Sequence, residues 1–311
     1  MANLKDYVRI ARPDHWIKQL FIFPGTAFAL FLVKEVTLAE RIIPIILSFV
    51  ATSFIASANY VINEWLDAEF DQFHPNKNQR PVVSGNINLT GVLIEYSILT
   101  ILGFVCSLLI SKWVFFMELW LWIMGIVYNV KPMRSKEIPY LDVLSESVNN
   151  AIRLLIGWFA ITSNHLPPVS IILGYWMGGA FLMATKRFSE YRMIGDKQAA
   201  SLYRKSFKFY SEKSLLISAF FYALMSVFFS GVFMIKYRAE LILDIPLICG
   251  LFCIYFYLSF EKNSSAQKPE KLFKEKYLML YLIIILIITC VLLIVDIPWL
   301  NWITKAEMIN L

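Results

Sequence analysis

Apolar residues run along this chain in blocks long enough to cross a bilayer, separated by short stretches that hold most of its charges. One crossing by a helix needs about 20 mostly apolar residues. Nine stretches qualify, the first of them short, at roughly 19–34, 42–63, 89–111, 113–130, 142–162, 168–185, 214–235, 241–260 and 277–300. Pro24 and Gly25 interrupt the first and predict a kinked or broken helix there. The longest connections, 186–213 and 261–276, are too short for a separate domain. The pattern predicts an all-α polytopic membrane protein, a single bundle of about nine transmembrane helices over residues 1–311.

Composition sharpens this picture. Of the 311 residues, 58% are hydrophobic and 17% charged, against about 45–50% apolar in an ordinary soluble domain. A soluble fold of this length has too little interior to hide so much apolar surface, and the same excess excludes disorder. The charged start of the chain, with Lys5, Asp6, Arg9, Arg12, Asp14 and Lys18 ahead of any apolar run, does not read as a cleaved leader. The net charge is +6, and the basic residues are unevenly spread. With a cytoplasmic N-terminus, 22 Lys and Arg fall on the cytosolic side and 6 on the other, which is a strong positive-inside bias. No long basic segment lies outside the apolar runs, so nucleic acid is not expected as a partner. Cys106, Cys249, Cys253 and Cys290 lie within apolar runs without accompanying His and read as packing residues.

The candidate chemistry collects at the cytoplasmic ends of the spans. Asn63, Asp67 and Asp71 are spaced i, i+4, i+8 where the second span ends, so their side chains point roughly the same way at the mouth of the bundle. Such a stripe repels itself unless a cation lies on it, and hard oxygen donors suit Mg²⁺ bridging to phosphates. Lys77 and Arg80 follow directly, between Pro75 and Pro81, and offer a point charge and a planar fork to phosphate. A second acidic element opens the fifth span, where Lys136 precedes Asp142 and Glu146. Farther along that face come Asn149 or Asn150 and then Arg153, and an Arg this deep in a span marks a site by default. Lys186, Arg187 and Glu190 close the sixth span, and Arg12 and Lys18 flank Trp16 before the first. Each cluster also has a structural reading: a solvated helix end, an internal bridge, or an interfacial anchor.

Asn63-x3-Asp67-x3-Asp71, the Lys77-x2-Arg80-Pro81 loop, the acidic element at Asp142 and the nine spans together resemble the UbiA superfamily of intramembrane prenyltransferases. Arg12-Pro13-x2-Trp16-x-Lys18, Ile138-Pro139-x2-Asp142-Val143 with Arg153, and Lys186-Arg187-x2-Glu190 are most similar to its decaprenyl-phosphate phosphoribosyltransferase branch. The chain departs from many relatives in having Glu64 after Asn63 and Glu146 in place of a second Asp. The resemblance implies Mg²⁺-dependent transfer in the cytoplasmic membrane, with the active site facing the cytosol. Asn63, Asp67, Asp71, Asp142 and Glu146 would be the metal ligands, with Asp67, Asp71 and Asp142 central to catalysis. Arg12, Lys18, Lys77, Arg80, Lys136, Arg153, Lys186, Arg187 and Glu190 would bind substrate. In that branch the substrates are phosphoribosyl diphosphate and a polyprenyl phosphate lipid of the cell envelope. The alternative within the superfamily moves a prenyl group from an allylic diphosphate to an aromatic or other acceptor, at a site with fewer cations. A transporter would place ionisable groups near the midplane in repeated halves, whereas here Arg153 alone lies deep.

Overall fold

The computed structural model describes residues 4–72, 79–85, 87–261, 265–267, 272 and 274–304. Among them there are helices and turns and no strand. The chain order is α1 (Leu4–Ala11), a 3₁₀ segment (Pro13–Ile22) running into α2 (Phe23–Leu32), α3 (Leu38–Asp71), α4 (Leu89–Leu108), α5 (Lys112–Asn129) and α6 (Leu141–Ile161). It continues with α7 (Val169–Ile194), α8 (Lys197–Tyr203), α9 (Glu212–Tyr237), a 3₁₀ segment (Ala239–Asp244) leading into α10 (Ile245–Ser259), α11 (Lys276–Ile294) and α12 (Pro298–Thr304). Each apolar stretch expected to span falls largely on helical backbone, the last being interrupted at 295–297 between α11 and α12. Six helical segments, at 38–71, 89–108, 169–194, 212–237, 239–259 and 276–294, are long and apolar enough to cross a membrane. The chain is an integral membrane protein.

Two helices extend well past their apolar stretches. α3 runs on to Asp71 and α7 to Ile194, so the polar stripes that follow the spans stay on rigid helix and keep their i, i+4 spacing. α6 is the central helix. Nearly all of it from Val148 to Ile161 is buried, including Arg153. It packs against α2, α3, α5 and α7, while α4 lies outside, against α3 and α5.

The contact between α2 and α6 is unusually close, and two glycines permit it. A Cβ on Gly25 would lie 1.9 Å from the carbonyl oxygen of Leu154, and one on Gly157 would lie 2.0 Å from that of Ile22. These obstacles are backbone and cannot swing aside. The crossing brings the 3₁₀ segment Pro13–Ile22 alongside the inner half of α6, so that Arg153 Nε donates to Gln19 Oε1 at 2.8 Å. The expected break at Pro24 is realised here as a change from 3₁₀ to α geometry at Phe23, with Pro24 in the first turn of α2, where its missing N–H costs little.

Candidate active site

The helices enclose a cavity of about 690 Å³. Its mouth lies where α3 and α7 overrun their apolar stretches, and it extends inward past α6. Asn63, Asp67, Arg80, Lys136 and Glu146 line it together with Arg12, Lys18, Arg153, Lys186, Arg187 and Glu190. The inner end becomes apolar between α7, α10 and α11, at Ile171, Leu251, Phe252, Tyr255 and Leu282. Lys77 lies outside the described residues.

On the α3 side, Glu64, Asp67 and Asp71 are each met by a cation. Arg12 donates to Glu64 at 3.1 Å, and Arg80 pairs with Asp71 while lying 3.8 Å from Glu64. Asp67 takes Arg134 at 3.0 Å and pairs with Lys136. The Lys136 ammonium also donates to Asn63 Oδ1 at 3.1 Å and Asn129 Oδ1 at 2.9 Å. One buried cation thus draws three oxygens from α3 and α5 to a point. Burial lowers the Lys136 pKa to about 8, against the pull of the Asp67 carboxylate. The loop that carries Lys136 is fixed by Arg134, which also donates to the carbonyls of Leu66 and Asn129. Arg12, Arg134 and Tyr140 adopt positive φ of 51°, 27° and 64°. Two of these side chains grip α3 carboxylates, so the strain lies where the cavity rim is shaped.

The opposite wall is built on α6 and α7. Glu146 accepts from Tyr128 OH at 2.9 Å and pairs with Arg187, and Arg187 lies 3.3 Å from Glu190. Asp142 departs from expectation. It is fully buried, does not line the cavity, and accepts from Ser206 Oγ at 3.0 Å and Tyr210 OH at 2.7 Å. Arg187 and Arg204 stand 3.5 and 3.8 Å from it. Burial, with the charge of Asp142 next, raises the Tyr210 phenol above its ordinary pKa. Asp142 therefore faces the segment between α8 and α9, and Glu146 is the α6 carboxylate on the cavity. Asp71 is also off the cavity lining, buried and held by Arg80. The first turn of α6 is captured by a segment more than sixty positions away, which i, i+4 spacing along the helix does not register.

Lys18, Arg153 and Lys186 stand outside these ion pairs. All three line the cavity, and none has a carboxylate partner among the described residues. Lys18 Nζ lies 3.1 Å from His15 Nδ1, and Arg153 is held by Gln19 and the carbonyl of Asn149. Cations without a contacting carboxylate in such a cavity are readily shared by an anionic ligand. Sequence reasoning missed Tyr128, Asn129, Arg134 and Arg204. A polar pair at the end of α5, on the same side as the other clusters, was the available signal for the first two.

No three acidic or His side chains converge among the described residues. The donor set at Lys136 is one carboxylate with two amide oxygens. That hard-oxygen nest, already wrapped around a point cation, fits Mg²⁺.

The UbiA prenyltransferase family model matches residues 22–284. The chain belongs to that family. Decaprenyl-phosphate phosphoribosyltransferase of Mycolicibacterium smegmatis is 28% identical over 218 residues, which are 67% of this chain and 63% of that one. Nodulation protein NoeC of Azorhizobium caulinodans is 27% identical over 205 residues, 65% of this chain and 62% of the other. This chain thus spans a little under two thirds of the length of these curated relatives. A UbiA homolog from Archaeoglobus fulgidus bound to GPP and Mg²⁺ superposes with a TM-score of 0.67 at 20% identity, over 97% of this chain and 100% of that one. At that identity the likeness speaks for the fold.

Proposed function

We propose that this UbiA-family protein transfers the 5-phosphoribosyl group from phosphoribosyl diphosphate to a polyprenyl phosphate. The observation that carries the reading is the division of charge along one cavity: paired acids and bases at the mouth with Lys18 and Lys186 beside them, and Arg153 farther in, about two turns along α6 from Glu146. An allylic-diphosphate enzyme with an aromatic acceptor has one phosphate-bearing substrate group to hold. Two separate cationic tiers suit two, a diphosphate above and a lipid phosphate below. The named relative from Mycolicibacterium smegmatis supports the same choice.

Asn63 and Asp67 would hold a divalent ion, joined by Asp71 once a phosphate draws Arg80 away. Glu146 would face it, with Asp142 positioning Arg187 from behind. When bound, the ion supplies charge neutralisation for the departing diphosphate. Arg80, Lys136 and Arg187 grip diphosphate oxygens and stay in place as charge builds on them. Arg153, Lys18 and Lys186 hold the lipid phosphate, and Arg12 and Glu190 keep the rim in shape through Glu64 and Arg187. An oxygen of that phosphate attacks C1 of the ribose. The C1–O bond to diphosphate breaks, and diphosphate leaves with the electron pair. The attacking group is already anionic near neutral pH, so no general base is required. The prenyl tail extends into the apolar end between α7, α10 and α11. The 22-to-6 bias in basic residues supports a mouth that opens to the cytosol.

The test is purified protein with Mg²⁺, labelled phosphoribosyl diphosphate and a C50–C55 polyprenyl phosphate. Labelled lipid is the expected product. Its absence where an active relative works overturns the reading, and prenyl transfer from an allylic diphosphate to an aromatic acceptor would replace it.

A further inference from the structure

Arg12, His15, Lys18 and Phe21 line the cavity at intervals of three residues. The local backbone sets that interval. Pro13–Ile22 is 3₁₀ rather than α, with Arg12 as its cap residue. With three residues per turn, side chains at i and i+3 stand one above the other, about 6 Å apart along the axis. An α-helix would turn Lys18 about 60° away from His15. A 3₁₀ run of ten residues is uncommon. Trp16 fixes this one on α3, where its Nε1 donates to Ser57 Oγ at 3.0 Å and its ring meets Phe54 edge-on.

The stripe faces a single ring. Tyr60 of α3 meets the buried His15 imidazole edge-on, with centroids 5.1 Å apart. The Arg12 guanidinium and the Lys18 ammonium lie over the same ring at 5.6 and 5.8 Å. Lys18 Nζ is 3.1 Å from His15 Nδ1. An ammonium has donors only, so Nδ1 accepts and His15 carries its proton on Nε2, which lies 3.7 Å from Asp14 Oδ2. Burial, then the positive charges of Lys18, Arg12, Lys186 and Arg80, lowers the His15 pKa to about 2. His15 is thus a neutral acceptor set among cations, and the chemistry proposed above makes no use of it.

Lysine carries a point charge on a flexible four-carbon stem. A ligand that must first order such a stem loses affinity for doing so. Here one N–H of Lys18 is taken by Nδ1 and the ring of Tyr60 steadies the charge, while other N–H donors remain for the cavity. We infer that His15 is a positioning residue that aims Lys18 at a phosphate group of the bound ligand. This rests on the proposed role of Lys18 as a phosphate-holding cation and adds the residue that prepares it.

The experiment is equilibrium binding of farnesyl monophosphate and, separately, inorganic diphosphate to purified protein in detergent with Mg²⁺. Lys18→Met reports the weight of the ammonium and should weaken farnesyl monophosphate by about tenfold or more. His15→Phe keeps a ring against Tyr60 and removes the acceptor. It should weaken the same compound by about three- to tenfold, the scale of ordering one long side chain. His15→Asn returns an acceptor oxygen near the place of Nδ1 and should bind within about twofold of wild type. In the Lys18→Met background, His15→Phe should add less than about a twofold loss, because its effect passes through the ammonium. If thermal unfolding shows that His15→Phe does not fold, His15→Ala takes its place in the cycle.

Unchanged affinity without the acceptor overturns the inference, as does failure of His15→Asn to restore binding. A full additional loss in the Lys18→Met background also overturns it, since His15 would then be a packing residue. So does an absence of any effect of Lys18→Met on either compound. The same coupled pattern with inorganic diphosphate in place of the farnesyl compound upholds the positioning role and removes Lys18 from the lipid phosphate. Coupling in a protein that makes no phosphoribosyl lipid upholds the positioning role and removes the functional reading alone.

Discussion

Lys136 and Asp67 form an ion pair that ties the loop after α5 to the outer end of α3. The same ammonium reaches Asn63 and Asn129, so this pair is the centre of the cavity mouth. Asp67→Asn keeps the shape and an acceptor oxygen but removes the charge. Turnover is expected to fall by about 100-fold or more, the usual cost of losing one electrostatic contributor at a reacting centre. A labelled-lipid assay measures this, with thermal unfolding in detergent as the control for folding. Wild-type turnover in that variant would remove Asp67 from the site.

Chelating divalent ions should stop transfer, and added Mg²⁺ should restore it. The hard-oxygen set at Asn63 and Asp67 predicts that Mn²⁺ also restores activity, because both ions favour oxygen donors. Full activity after exhaustive chelation would contradict a metal at this mouth.

Arg153 has no carboxylate partner among the described residues and is held by Gln19 and Asn149. Arg153→Gln should raise KM for the polyprenyl phosphate by about tenfold or more, the loss of a charge-assisted contact. KM for phosphoribosyl diphosphate should move far less. Initial-rate measurements with each substrate varied in turn separate the two effects. An equal rise in both would place Arg153 on the donor.

The two α6 carboxylates should separate by kind of defect. Asp142 is fully buried and accepts from Ser206 and Tyr210 beside Arg187 and Arg204. Asp142→Ala should destabilise the protein by about 3–5 kcal/mol, the cost of leaving buried cations without their partner. Glu146→Gln keeps the Tyr128 contact and should lower turnover with a smaller loss of thermal stability. Thermal midpoints and rates of the two variants check this, and the reverse pattern would exchange their roles.

Gly157→Ala places a methyl carbon 2.0 Å from the carbonyl oxygen of Ile22. Separating two backbones costs more than rearranging a side chain, so the loss should reach or exceed the 1–3 kcal/mol (about the usual range) of an overpacked core. A lower thermal midpoint in detergent is the readout, and Gly25→Ala should behave similarly.

The spans were legible because each is a long apolar run, and the α3 stripe because its spacing matches the helical repeat that continues through Asp71. Asn63, Asp67, Glu146 and Arg153 do reach one cavity. The destination of Asp142 was not legible. Its partners Ser206 and Tyr210 come from a connecting segment that no periodicity links to α6. Tyr128 and Asn129 were overlooked because an aromatic and a polar residue at the end of a span look like any interfacial anchor. Their role depends on α5 being packed beside α6, which is a tertiary fact. The pairing of Lys136 with Asp67 depends on a loop shaped by Arg134, and local sequence carries no such instruction.

The bare methylenes of Gly25 and Gly157 leave no slack between the segments that bear Lys18 and Arg153. The backbones that carry those two charges are therefore held at a fixed separation. Amino-acid exchange elsewhere on the cavity wall can remodel what enters, but at either of these positions any heavier residue acts as a wedge beneath the cationic floor.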